Sequence, residues 1–142
     1  MNTSTIVFTE SYAEITYLPA KRRLILIWNG NPIGDEYKKP FLTMLEFGKK
    51  FPVDSMVSDI SNQGNISPEN RKWFEKELMP QGAKAGLKRA AIVTNGSALK
   101  LYYVNILLIA LKGFPLVTRI FNSKNEAINW LDSFPVSRHK LE

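Results

Sequence analysis

Asp59, Ser61, Asn62, Asn65, Ser67 and Glu69 crowd into the stretch DSMVSDISNQGNISPENRKWFEKELMPQ, residues 54–81. Carboxylates, hydroxyls and amides of this kind suit recognition by hydrogen bonds. A catalytic set cannot be assembled around them. The only histidine, His139, lies in the polar tail, so no Ser-His-Asp triad or histidine metal cluster can be built. Asp54 and Asp59 have an odd spacing on one strand, which puts them on opposite faces rather than side by side as an acid–base pair. A metal held by Asp59 and loop carbonyls alone would be short of ligands. The chain has no cysteine, which excludes disulfides, thiolate sites and a cysteine nucleophile. Phosphate loops of the GxGxxG or GxxxxGK kind are absent. The expectation is therefore no catalytic residue, no metal and no cofactor.

The polar cluster matters only if the fold brings it to one edge. Residues 11–18 alternate, with Ala13, Ile15 and Tyr17 on one side, and read as a half-exposed edge strand. A turn at Pro19 leads to the apolar run Arg23–Trp28, which pairs back as an antiparallel hairpin and is expected to be buried on both faces. Asp35 can cap a helix reaching Phe51; Pro40 requires either a start near Lys38, with proline in the first turn, or a kink there. Asp54–Ile60 reads as the third strand. Ser67-Pro68-Glu69 is a strong helix start, with a hydroxyl cap, proline at the first position and an acid in the first turn. That helix runs to Met79, and Pro80 to Gly86 reads as a connection. Lys88–Thr94 and Leu116–Phe121 are the remaining strands. Between them Ala98–Lys112 forms a helix that Gly113 stops. Ser123 to Glu126 matches a capping box opening a last helix.

The resulting class is α/β, a single five-stranded mixed sheet flanked by four helices. An N-terminal antiparallel hairpin precedes a parallel remainder. Residues 1–142 read as one domain with its core over 11–134. In such sheets ligands gather outside the carboxyl ends of the strands, near a switch in strand order. The loops there are 29–34, 59–65, 94–96 and Asn122. This adds Asn95 and Ser97 to the candidate partner- or ligand-binding residues. Each loop leads into a helix N-terminus with free backbone donors, although asparagine, glycine and serine are also what such turns need.

The helix 98–112 is apolar nearly all round, more than one covered sheet face requires. Tyr102, Tyr103, Ile106 and Ile109 are its candidate dimer or ligand face, and a homodimer is the first expectation. It is too short for a membrane span. The net charge of +6 comes from scattered cations, which read as a solvated basic surface; no nucleic-acid partner is expected. The segment MNTSTIVFTES has no signal-peptide pattern, so the expected location is cytoplasmic.

Several segments together resemble the STAS-like superfamily, in its SpoIIAA-like single-domain bacterial branch. They are Ile27-Trp28-Asn29-Gly30, Ser58-Asp59-Ile60-Ser61, Ile66 to Asn70 with Trp73, Ala90–Thr94, Arg119 to Ser123, and Glu126-Ala127 with Trp130-Leu131. The resemblance implies a non-enzymatic protein-interaction or regulatory module acting through the edge around Asp59–Glu69. In anti-anti-sigma members a serine or threonine at the start of the helix after the third strand is phosphorylated, which makes Ser67 the matching phosphosite. Here Pro68 and Glu69 replace the glycine and leucine that follow it, so Ser67 reads as a helix cap first. The superfamily's distant similarity to lipid-transfer folds implies an alternative: a carrier or sensor of an apolar or anionic amphiphile. That ligand would lie between helix 98–112 and the sheet, with a basic rim such as Lys100 or Lys112.

Overall fold

A computed structural model describes residues 3–96, 101, 104, 105, 108, 109, 112, 113 and 115–136. Its sheet has six strands, one more than expected, in the order of the sequence: β1 (Thr5–Glu10), β2 (Ala13–Leu18), β3 (Arg23–Gly30), β4 (Ser55–Gln63), β5 (Arg89–Val93) and β6 (Val117–Phe121). The extra strand is β1, which lies outside the expected core. It pairs antiparallel with β2 from Thr5 opposite Tyr17 to Glu10 opposite Ala13. Most of its side chains are exposed, so it carries no strong apolar alternation to read. It takes the edge position expected of β2. From β3 to β6 all pairings are parallel.

Sequential order overturns the expected switch point. When neighbouring parallel strands follow one another, right-handed crossovers place every connecting helix on the same face. The packing agrees. Tyr37, Phe41 and Met44 of α1 (Asp35–Lys50) share one core with Leu24, Leu26 and Trp28. Ala83 of the next crossover packs with Ala90 and Leu116. The helix α4 (Lys124–Asp132) follows the last strand, need not return to the sheet edge, and covers the other face. There Ala127 and Leu131 meet Val57, Ala91 and Val93. Strand β3 is accordingly uneven: Leu24, Leu26 and Trp28 are buried, while Ile25 and Ile27 are half-buried.

Two helix boundaries differ from expectation, and the place of Pro40 is decided. Gly34, not Asp35, occupies the cap position of α1, and Asp35 sits in the first turn. The Ile33 N–H donates to Glu36 Oε1 at 3.1 Å, satisfying a donor just outside the helix. Pro40 lies inside α1 with its ring fully buried, so apolar burial outweighs the missing backbone bond. The helix after β4 does not stop at Met79. It runs as α2 (Pro68–Trp73), a wide π turn (Phe74–Leu78) and α3 (Met79–Lys84). The Met79 N–H reaches back to the Phe74 carbonyl. This widening moves the backbone ahead of Pro80 out of the register in which its ring would strike the carbonyl four residues earlier.

Candidate functional site

The cap at Ser67 forms as expected, the Asn70 N–H donating to Ser67 Oγ at 3.1 Å. Asn70 is itself buried, and its Nδ2 donates to the Gly34 carbonyl at 3.2 Å, tying the start of α2 to the start of α1. Beside it the two loops after β3 and β4 are knitted together. The Gly64 N–H donates to the Gly30 carbonyl at 2.7 Å, and the Asn65 N–H to Asn31 Oδ1 at 3.0 Å. Asn31 lies so close over Gly64 that any Cβ there would collide with its oxygen. An alanine at 64 would have to push the Asn31 side chain aside, and with it the bond to the Asn65 N–H.

Strand β4 continues to Gln63, so Ser61 and Asn62 belong to the strand rather than to a loop. The carboxylate of Asp59 accepts the Ser61 N–H at 3.0 Å. Alternation puts Asp59 on the face of Val57, opposite the α1–α3 side. Asn95 Nδ2 donates to the Ser61 carbonyl at 3.0 Å, linking the ends of β4 and β5. Asn62, Asn65, Ser67, Glu69 and Asn95 are exposed, and Asp59 and Ser61 half-buried. The expected cluster is thus divided: Asn65, Ser67 and Glu69 gather at the start of α2, whereas Asp59 faces away. Ser97, Lys100, Tyr102, Tyr103 and Ile106 lie outside the described residues. Ile109 is 67% exposed, while Val104 on the same helix is buried.

One partly enclosed cavity has a mainly apolar lining. This cavity of about 520 Å³ lies between the sheet and its single layer of crossover helices. That volume is in the range of small-molecule sites. Trp28, Met56, Ile60, Ala90 and Ile92 form its sheet wall; Phe41, Phe74, Val104 and Leu108 form much of its helix wall. It therefore extends under α1 and α2, not only under helix 98–112 as expected. The polar positions of its lining are uneven. Gln63 and Asn65 line it at the carboxyl edge, and Arg71, Lys72, Glu75 and Lys76 line it along the first half of the helix that starts there. The basic rim thus comes from α2 and the turn after it, while Lys112 is exposed and does not line the cavity.

Tyr37 stands at that end, its ring stacked on Trp28 with centroids 5.4 Å apart. Burial pushes its phenol far above the ordinary range, against a smaller lowering by the Arg71 charge, so it stays neutral. Three buried side-chain atoms, Trp28 Nε1, Thr94 Oγ1 and Thr118 Oγ1, have no hydrogen-bond partner among the described residues. Sequence reasoning did not single out Gln63, Arg71 or Thr118. Among the described residues no group of three or more His, Asp or Glu side chains could hold a metal. No helix among them is long and apolar enough to cross a membrane.

One solved structure shares this arrangement over nearly the whole chain: an uncharacterized DUF3478-family protein from Shewanella loihica PV-4 with a SpoIIAA-like fold. The two superpose with a TM-score of 0.57 at 22% identity, covering 92% of this chain and 95% of the other. The fold is SpoIIAA-like. The resemblance drawn from the residues around Trp28, Ser58, Ser67 and Arg119 therefore holds at the level of fold. No family model and no curated protein matches the chain.

In this SpoIIAA-like frame Ser67 occupies the start of the helix after β4, where its hydroxyl already serves Asn70. Pro68 follows it at the first helical position. The phosphosite reading of Ser67 gains no support from this geometry. Caps of this kind are part of the helix start itself.

Proposed function

We propose that the protein is a non-enzymatic binding module that holds an apolar or amphiphilic small molecule between its sheet and its crossover helices. The cavity of about 520 Å³ carries this reading. Interiors normally close-pack with few voids larger than water. A large void lined by Phe41, Met56, Phe74, Ile92 and Leu108 forfeits dispersion contacts that a bound molecule would restore. The carrier or sensor role expected as the alternative becomes the first reading. Gentle purification followed by organic extraction and mass spectrometry tests it, together with titration of the neutral probe diphenylhexatriene. We expect saturable probe binding that Ala90→Leu, which fills the cavity, weakens while leaving the fold intact. A probe that binds without saturation, and equally to the filled variant, sinks the reading.

A second reading adds a protein partner at the carboxyl edge, as a regulatory module of this fold class would use. The zipped loops at Asn31, Gly64 and Asn65 favour it, because they hold exposed Asn62, Asn65 and Glu69 on a rigid frame beside the cavity mouth. Glu69→Lys tests this better than a change at Asp59, whose carboxylate serves the backbone of Ser61. Loss of a specific captured partner at unchanged melting temperature is the expected result. A cytoplasmic setting and a homodimer through the helix that carries Ile109 complete the proposal.

A further inference from the structure

The basic residues are scattered along the chain, yet the topology gathers them. In a run of parallel strands each crossover helix ends, and each following strand begins, at the same edge of the sheet. Lys49 and Lys50 end α1, Lys84 ends α3, Lys88 and Arg89 lead into β5, and Lys112 precedes β6. Lys21, Arg22 and Arg23 stand at the turn into β3. Backbone bonds run along this edge from strand to strand. The Asp54 N–H donates to the Arg22 carbonyl at 2.8 Å, the Lys88 N–H to the Asp54 carbonyl at 2.8 Å, and the Val117 N–H to the Lys88 carbonyl at 3.0 Å.

The acids at this amino edge are Glu46, Asp54 and Asp132. Glu46 pairs with Lys49 at 2.9 Å, and Asp132 with Arg23 and Lys21. The edge thus holds nine of the chain's 19 basic residues and three of its 13 acidic ones, which leaves ten of each for the rest of the chain. The whole net charge of +6 is carried here. Helix C-termini favour cations, which suits Lys49, Lys50 and Lys84. Lys88 and Arg89 belong to no helix, so the helix dipole does not account for them.

Apolar groups stand among these charges. Phe51 follows Lys50 and is 48% exposed, its ring stacked on Phe47 with centroids 4.6 Å apart. Val117, at the start of β6, is 54% exposed. A nucleic-acid backbone would meet the lysines but leave the phenylalanine ring in water. An anionic bilayer meets both, since lysines sit over its headgroups while aromatic and aliphatic side chains settle at the acyl boundary. The cavity lining also reaches this edge, at Val53, Ala85, Leu87 and Leu116.

We propose that the amino edge of the sheet docks on an anionic lipid surface. Lys49, Lys50, Lys84 and Lys112, all exposed, lie over the headgroups, and Phe51 enters the acyl boundary. This docking stands apart from the cavity reading, although it turns the Val53 and Leu87 end of the cavity toward the bilayer.

The test is co-sedimentation of the whole protein with vesicles of phosphatidylcholine, alone or mixed with phosphatidylglycerol. Wild type should bind the mixed vesicles, leave them as salt is added, and ignore the neutral ones. Lys50→Glu with Lys84→Glu should weaken binding about tenfold or more, since each lysine near such a surface is worth about a factor of five. The same charge change near the carboxyl edge, Lys39→Glu with Lys124→Glu, lies more than a screening length away and should weaken it no more than about threefold. Phe51→Ser should weaken vesicle binding and leave binding to a random DNA duplex unchanged. Hydrogen exchange of the wild type decides the matter if a variant does not fold: mixed vesicles should slow exchange over residues 48–53 and 85–88 and not over 35–40. Equal losses in the two double variants, indifference to Phe51→Ser, or a duplex bound as tightly as the mixed vesicles overturns the proposal. Wild type that ignores mixed vesicles overturns it too and leaves the cavity reading in place, which the diphenylhexatriene titration tests separately.

Discussion

Arg23 and Asp132 meet on one face of the sheet, Nη2 donating to Oδ1 at 2.8 Å, although 109 residues separate them in the chain. Arg23 is buried at 4% exposure on the α4 side, and its Nε donates to Ser55 Oγ at 3.2 Å. Lys21 adds a second cation 3.4 Å from the same carboxylate oxygen. The pair fastens α4 to the amino ends of β3 and β4, on the face away from the cavity.

Removing this carboxylate should destabilise the fold. Burial alone would push the Asp132 carboxyl up, but the Arg23 hydrogen bond and the Arg23 and Lys21 charges outweigh it and hold it below the usual range. A lowered folded-state value means the contribution is fully present above about pH 4, the unfolded value, and fades as pH falls toward the folded one. Asp132→Asn leaves Arg23 buried without its counter-charge. It should cost about 1–2 kcal/mol at pH 7 after allowance for the partly open position. Urea unfolding at pH 7 and again near pH 3 checks this: the gap between wild type and variant should shrink in acid.

Gly64→Ala should destabilise by about 1–3 kcal/mol, the usual cost of an added methyl that forces neighbours apart. The obstacle is a single atom, Asn31 Oδ1. Asn31→Gly should therefore relieve much of the Gly64→Ala cost. A double-mutant cycle read by thermal unfolding measures the coupling; additive effects would show that Asn31 is not the obstacle.

Ser67→Ala should cost about 1 kcal/mol through loss of the cap on Asn70. Ser67→Asp should recover most of it, because aspartate caps as well as serine and its charge suits a helix N-terminus. If Ser67 acted chiefly as a phosphoswitch, alanine would be thermally silent and aspartate would change partner capture.

Ile109 is exposed on a helix whose Val104 is buried. Ile109→Glu should convert a homodimer into monomers without lowering the melting temperature of the isolated fold. Light scattering of both proteins over micromolar concentrations reads the outcome.

Much of this was legible in the chain because it rests on local chemistry. The Ser67 cap, the Ser123 cap at 3.1 Å from the Glu126 N–H and the left-handed Gly113 with φ of 97° follow from residue type and short spacing. So do five of the strands, whose apolar runs need both faces or one face covered. The strand Thr5–Glu10 was not legible, since an exposed edge carries no burial pattern and is held by its ladder to β2. Nor was the continuation of α2 through Pro80. That depended on a wide turn which local propensity does not announce.

Residue types alone determined an α/β chain with polar residues gathered at the turns that begin helices. Tertiary structure decided the rest. Sequential strand order placed the crossover helices in one layer, so the space beneath them became a shared cavity. It also turned Asp59 away from that space and brought Trp28, Gln63 and Arg71 to one end of it. The physical reason is that caps and periodicity act over a few residues. Which wall a donor faces, and whether an acceptor stands opposite, is settled only when distant strands and helices pack.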